Sequence, residues 1–445
     1  MKISKENRKF LKLLFIIAPP VILQEVLSAA VNILDTIMIG RAMGVEEVAA
    51  VGLANQIFFL FILMVFGLVS SSMVFNGQYF GKGDIPSIHK VMGIGFVFNL
   101  LTALIFFVPA FFFPHVLIGI YSSDPVVIAF GAEYLRIVSF SYFFVAITFT
   151  RNAAMRSMRQ TKIPMVITSV ALGLNFGFNY LAIFVLETGL WGVAAGTLLA
   201  RGIELVVQEG FIRYYRLPVK ATLKGYFNID KVFVKGFFAV SIFIIFNEVL
   251  WAFGNSIYHI AYGIVGTEAQ GSIQISMAMV QLFQVFGNSI AISTSIIISN
   301  TLGASENKLA IAYSRKCIYF AAVASITMGG FLVAFSGPIV GFYNVEPHIR
   351  GYITNIILVA AATMVVRTIN FTTVVGILRS GGDTKFCFYL ETATVYLIGL
   401  PMAFLGAFMG MPIHIIFLMS QTEEVVKFFI ALKRTLGNGW ANTIV

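Results

Sequence analysis

Charge is what this sequence has least of. Only 11% of its 445 residues are Asp, Glu, Lys or Arg and 58% are hydrophobic, against about a quarter charged in soluble domains. With a mean hydropathy of +0.90, a soluble globular fold is excluded. Acids are scarcer than bases, 20 against 30, so each acid inside an apolar run needs a reason. Cysteine is nearly absent: Cys317 and Cys387 imply no disulfide framework and read as buried thiols. There is no Walker A sequence and no HExxH, and the five histidines are scattered, so ATP-driven pumping and zinc hydrolysis have no residues to use. The GKGD at 81–84 superficially fits the GxGD pattern of intramembrane aspartyl proteases, but that chemistry needs two facing aspartates. Asp84 stands in a basic loop just before Pro86, and no Tyr-Asp partner exists.

Long apolar runs are present in abundance. They fall at 12–40, 47–80, 91–119, 126–155, 164–186, 190–212, 236–263, 269–302, 312–342, 349–378, 386–407 and 411–432, each about the length that crosses a bilayer. The expectation is an all-α polytopic membrane protein of twelve helices. The formal charge of +10 is crowded into alternate loops, including Lys2 to Lys12, Lys82 and Lys90, 156–162, 213–235, 308–316, Arg379 and Lys385, and Lys433 with Arg434. The opposite loops hold only Arg41 and Arg350. By the positive-inside rule both termini are cytoplasmic, and the charge marks topology in a cell (plasma or inner) membrane rather than a nucleic-acid surface. The first 30 residues resemble a signal peptide in composition, but Glu25 argues against cleavage.

The chain repeats itself. LQEVLSAAVNILDTIMIG, ending at Gly40, aligns with FNEVLWAFGNSIYHIAYG, ending at Gly263, pairing Glu25 with Glu248 and Asn32 with Asn255. Asp35 has no echo, because Tyr258 stands there. Tyr121-Ser-Ser-Asp-Pro125 matches Tyr343-Asn-Val-Glu-Pro347, the run from Met155 to Lys162 matches that from Leu378 to Lys385, and Phe66-Gly67 matches Phe286-Gly287. Six helices per repeat is an even number, so both halves enter from one side and are parallel. This gives an amino-terminal lobe over 1–212, a cytoplasmic linker over 213–235 and a carboxy-terminal lobe over 236–445, an architecture suited to alternating access. Pro19-Pro20 and Pro401 lie inside apolar segments, where a missing N–H bends or breaks a helix, as a static kink or as a hinge.

The embedded polar residues carry the functional reading. An ionisable group at bilayer depth costs roughly 2.5 to 3.5 kcal/mol on insertion scales, so it faces a protein interior or a wet cavity. Gln24, Ser28, Asn32 and Asp35 share one side of the first segment, with Glu25 about a quarter turn away. Asn175 and Asn179 lie one turn apart and, with Thr197 and Asp35, would make an oxygen-rich cluster. Burial disfavours a charged carboxylate, so such a site takes up H⁺ or holds Na⁺. The seventh segment presents Glu248, Trp251, Asn255 and Tyr258 on one face, a set suited to a lipophilic cation. In the eighth, Gln274, Gln281, Asn288 and Ser295 recur every seven residues with Gln284 beside them, lining a cavity or bonding between helices. Glu248 has a structural alternative, pairing with a buried Arg367. Arg136 and Arg201 have Glu133 and Glu204 three residues away for local pairs, Arg151 snorkels, and Glu391 has no evident partner.

Taken together, PPVILQ through LDTIMIG, AAVGLANQ, GKGD, the NEV of the seventh segment and GILRSGGDT resemble the multidrug and toxic compound extrusion (MATE) family over almost the whole chain. The resemblance implies a V-shaped pair of six-helix lobes and a monomeric secondary exporter that expels small amphipathic, mostly cationic compounds in exchange for H⁺ or Na⁺, with no other cofactor. Asp35, Asn175 and Thr197 match the family's amino-lobe ion cluster, while Asn179 stands where the DinF-like branch has a second aspartate. Glu248 matches the seventh-helix glutamate of the NorM-like branch, whose tenth-helix aspartate falls at about Thr368. The expected cargo residues are Glu248, Trp251, Asn255, Gln281, Gln284 and Asn288, with Gln24, Glu25 and Arg367 near them. The runner-up is a lipid-linked oligosaccharide flippase of the same superfamily, which would want arginines facing a pyrophosphate. A membrane-embedded enzyme comes third, having no paired catalytic set.

Overall fold

The computed structural model describes residues 5–341 and 346–445, apart from the side chains of Lys5, Asn32, Ile33, Thr36, Thr267 and Ile339. Asn32 of the polar stripe and the repeat motif at Tyr343 therefore lie outside the described residues. In chain order the helices are α1 (Lys5–Ala42), α2 (Val45–Lys82), α3 (Ile85–Phe112), α4 (Pro114–Gly119), α5 (Pro125–Val138), α6 (Ser141–Ser157), α7 (Lys162–Tyr180), α8 (Gly189–Tyr214) and α9 (Leu223–Phe227). They continue as α10 (Lys231–Ile264), α11 (Thr267–Gly303), α12 (Asn307–Gly341), α13 (Pro347–Phe371), α14 (Thr384–Thr394), α15 (Leu400–Phe408), α16 (Ile413–Ser420) and α17 (Thr422–Leu436). No strand occurs among the described residues.

Among those residues ten helical stretches are long and apolar enough to cross a membrane, and α5 with α6, bent by 49°, makes an eleventh. The segment expected over 411–432 is α16 and α17, broken at Gln421. Its polarity explains the break in pattern: Glu423 and Glu424 open α17 and Lys427 follows one turn later, with Glu423 and Lys427 buried.

Local chemistry sets the helix ends. Asp84 caps α3, accepting from the backbone N–H of Ser87 at 3.1 Å and from its hydroxyl at 2.7 Å, with Pro86 in the first turn. Asp84 therefore starts a helix and has no part in protease chemistry. Asp124 caps α5 in the same way through Val126 N–H at 2.8 Å. Gly83, between α2 and α3, has φ +80 and Gly382, before α14, has φ +81, the left-handed region glycine favours; the repeat counterpart of Gly382 is Arg159, held at φ 61. α1 runs unbroken through Pro19-Pro20, whereas Pro401 follows a π-helical turn over Val395–Gly399, a register shift that absorbs the missing donor.

The chain groups into two compact units. The amino-terminal unit comprises Leu23–Asn76 and Asp84–Phe238; the carboxy-terminal unit comprises Met1–Ile22, Gly77–Gly83 and Ala239–Val445. Phe61 and Tyr142, stacked at 4.7 Å, lie in the core of the first with Val65 and Val145. Ile353, Ile357, Leu332 and Ile416 fill that of the second.

Candidate functional site: an unpaired carboxylate in one repeat and a buried triad in the other

In the amino-terminal unit a cavity of about 460 Å³ is lined by Asp35 of α1, Asn55 of α2, Tyr134 of α5, Asn175 and Asn179 of α7, and Thr197 of α8. Its remaining walls are largely apolar, including Val31, Phe58, Ile62 and Leu172. Asn179 donates to the Asp35 carboxylate at 3.1 Å and, more weakly, to Asn175 Oδ1 at 3.5 Å, and Asn175 donates to Thr197 Oγ1 at 3.2 Å. Asn179 is 2% exposed and its own Oδ1 has no donor. No lysine or arginine among the described residues forms an ion pair with Asp35. Arg201 stands on the cavity wall, but its guanidinium is bonded to Glu204 at 2.9 Å. The result is a half-buried carboxylate that accepts from one amide and shares its cavity with the oxygens of Asn175, Asn179 and Thr197, without a fixed cation, an all-oxygen set that suits a proton or a hard monovalent ion rather than a transition metal. All four residues expected in this cluster come together. Asn55 and Tyr134 were missed, because Asn55 sits beside Gln56 and Tyr134 between Glu133 and Arg136, where neither stands out from its polar neighbours.

The seventh-segment glutamate has a different fate. Arg379 donates to Glu248 at 2.7 Å and to Glu391 at 2.9 Å, and Asn247 donates to Glu391 at 2.5 Å. The three charged side chains are 2%, 13% and 15% exposed, in the order Arg379, Glu248, Glu391. This corrects two expectations: the partner of Glu248 is Arg379 rather than Arg367, and its charge is taken up by a guanidinium rather than offered to a cationic cargo. A desolvated carboxylate draws in whichever guanidinium its fold supplies. Arg367 forms no ion pair among the described residues; on α17, Tyr258 donates to Glu423 at 2.7 Å and Asn370 to Glu424 at 2.6 Å.

The amino-terminal unit holds the matching set. Arg156 donates to Gln24 at 2.7 Å and to Glu25 at 3.3 Å, while Gln24 donates to Thr168 at 3.0 Å. Gln24 and Glu25, expected near the cargo, are thus both tied to Arg156. Arg156 and Arg379 occupy matching places in MRSMRQTK and LRSGGDTK, as Glu25 and Glu248 do in their own repeat, so the pairing was available from the duplication. Arg151 pairs with Glu209 at 2.7 Å instead of snorkelling.

Trp251, Asn255 and Gln281 are exposed and Gln284 and Asn288 half-buried, and none of these amides forms a hydrogen bond among the described residues. The seven-residue beat of α11 divides: Ser295 is bonded to Ser380 at 2.9 Å, a packing contact, while Gln274 and Gln281 are open.

A duplicated helical bundle of this span count, with a carboxylate left unpaired inside one repeat, defines a polytopic membrane protein built for transport. The MatE family model matches twice, over residues 20–181 and 244–405, and the chain belongs to that family, the MATE transporters; it is a multi-pass membrane transporter and not an enzyme. Among curated relatives it is similar to the transporter YisQ of Bacillus subtilis, 24% identical over 96% of this chain and 94% of the relative. It is also similar to the multidrug resistance protein MdtK of Yersinia enterocolitica, 23% identical over 94% and 92%. Its fold is shared by a solved Vibrio cholerae MATE transporter, VcmN, crystallised as an aspartate-to-asparagine mutant, with a TM-score of 0.88, 17% identity and 98% of both chains covered.

Proposed function

We propose that the protein is a secondary multidrug exporter that expels small amphipathic, mostly cationic compounds by alternating access in exchange for H⁺ or Na⁺, with Asp35 as the coupling-ion site. The observation that carries this reading is the Asp35 carboxylate itself, half-buried, unpaired and bordered by Asn175, Asn179 and Thr197 in a cavity of about 460 Å³. An acid kept in a bilayer without a fixed partner costs folding stability, and exchange of a mobile cation gives it a use. Trp251, Asn255, Gln281, Gln284 and Asn288 have unoccupied aromatic or amide surface that suits varied cargo. The relative named for multidrug resistance supports the substrate class. The protein acts as a monomer in the cell membrane with both termini cytoplasmic, as the loop charges favour.

Ion and cargo need not meet at one residue, because each biases the same two-state equilibrium. The flippase reading is weaker because Arg156, Arg201 and Arg379 are each bonded to an acid rather than free to face a pyrophosphate. The deciding experiment is efflux of a fluorescent cation from proteoliposomes under separately imposed pH and Na⁺ gradients. Asp35→Asn should abolish gradient-driven efflux while the purified variant melts like the parent. Undiminished efflux by that variant would reject the assignment.

A further inference from the structure

Within the carboxy-terminal unit the first turns of α1 and the third turn of α12 border an open groove of about 560 Å³. Its floor is aromatic: the buried Phe10 packs against Tyr313 at 5.2 Å and Phe320 at 6.2 Å between ring centroids, and Leu11 and Tyr319 extend the wall. Its rim is cationic. Lys316 is bonded to Glu6 at 2.5 Å and lies 5.8 Å over the Phe10 ring. Arg315 is exposed on this rim, while Arg8, Lys9 and Lys12 are exposed on the same turns of α1 but outside the groove lining, and none of these four has an ion pair among the described residues. Residues 6–12 and 312–320 thus hold five cations against one acid, Glu6. Deeper along the same helices Phe15, at 66% exposure, with Ile16, Val323 and Ile326 turns apolar faces outward, as a wall meeting lipid does.

We infer that this groove is a binding site for an anionic phospholipid, with the headgroup phosphate against Arg315, Lys12 on the adjoining turn of α1 adding attraction, and an acyl chain laid over Leu11, Tyr319 and Phe320. The argument is one of complementarity. An uncompensated cationic rim at a membrane interface attracts anionic headgroups at about 1 kcal/mol per basic residue. A free phosphate would satisfy the rim and leave the exposed Tyr319 and the half-buried Leu11 and Phe320 in water. Tyr319, 69% exposed, is amphipathic and belongs at that boundary. Lys316, held by Glu6 over two rings, fixes the rim in place, and the site lies on the helix that also carries Asp35.

The test is the melting of the purified full chain in detergent with added phosphatidylglycerol, phosphatidylcholine or inorganic phosphate. Phosphatidylglycerol should raise Tm by about 3 °C or more and the other two should not. Arg315→Gln with Lys12→Gln, both exposed and unpaired, should remove at least half of that rise while leaving the lipid-free Tm unchanged. Lys82→Gln with Lys433→Gln, the same charge removed from other basic loops, should keep it. Equal loss in both double variants, or an equal rise with inorganic phosphate alone, would overturn the site in favour of diffuse surface charge. Neither outcome bears on Asp35, so this inference and the transport reading fail separately.

Discussion

The two repeats solve the same problem twice and differ in one place. Each ties the glutamate of its opening helix to an arginine near the far end of its fourth span, Glu25 to Arg156 at 3.3 Å and Glu248 to Arg379 at 2.7 Å. Each places a side-chain amide next to that glutamate, and Gln24 reaches Thr168 where Asn247 reaches Glu391. The second copy is the tighter, with two acids on one almost fully buried guanidinium. Beyond the shared pair only the first copy adds Asp35; the second has Tyr258, bonded to Glu423. The carboxylate present in both copies is paired in both, whereas the one found in a single copy has no ion-pair partner among the described residues, which is the contrast the transport proposal rests on.

That contrast is broken first at the arginines. Arg379→Met leaves Glu248 and Glu391 buried without a cation and should cost about 3 to 5 kcal/mol, read as a large fall in Tm or loss of folded protein on purification. Arg156→Met should cost less, about 1 to 2 kcal/mol: Glu25 is 37% exposed and a partly solvated pair is weak, so most of the loss comes from the buried Gln24 Oε1 left without its donor. Equal losses would mean that the two pairs are not the graded copies described. Glu248→Gln comes next. It leaves Arg379 matched one to one by Glu391, so stability should change little and efflux of cationic and neutral compounds should fall alike, if at all. Selective loss of cationic cargo would return Glu248 to the binding surface.

The sequence carried much of this and withheld the rest for identifiable reasons. Apolar runs located nearly every span, because a bilayer sets their length. Asp35, Asn175, Asn179 and Thr197 were legible as a cluster, since polar groups in greasy helices stand out and share helical faces. The role of Glu248 was not, because composition cannot tell a carboxylate awaiting a cation from one already paired 131 residues away. The duplication did hold that information, in the matched places of Glu25 with Arg156 and Glu248 with Arg379. The last span was read too simply for the opposite reason: its average hydropathy hid Glu423, Glu424 and Lys427, which face inward to Tyr258, Asn370 and each other.

Within the first copy, Asn179→Ala tests how far the surrounding oxygens matter. It removes the 3.1 Å bond to Asp35 and the donorless Oδ1 while keeping the carboxylate. Removing one hydrogen bond to a charged group costs about 1.5 to 3 kcal/mol, so the ion concentration for half-maximal efflux should shift by about 10- to 150-fold, with efflux retained at saturation. An unchanged midpoint would take Asn179 out of the ion site.

The variant expected to move the ion dependence least is the most discriminating. Tyr258→Phe removes the hydroxyl that Glu423 accepts at 2.7 Å, at the position where the first repeat has Asp35. If only the first copy handles the coupling ion, this variant loses some stability, about 1.5 to 3 kcal/mol for a bond to a charged acceptor, and the ion dependence of efflux stays where it was. A displaced ion midpoint in Tyr258→Phe, with cargo affinity unchanged, would show instead that the second copy also exchanges an ion, through Glu423. The asymmetry between the repeats would then lie in which helix supplies the acid rather than in whether one is supplied.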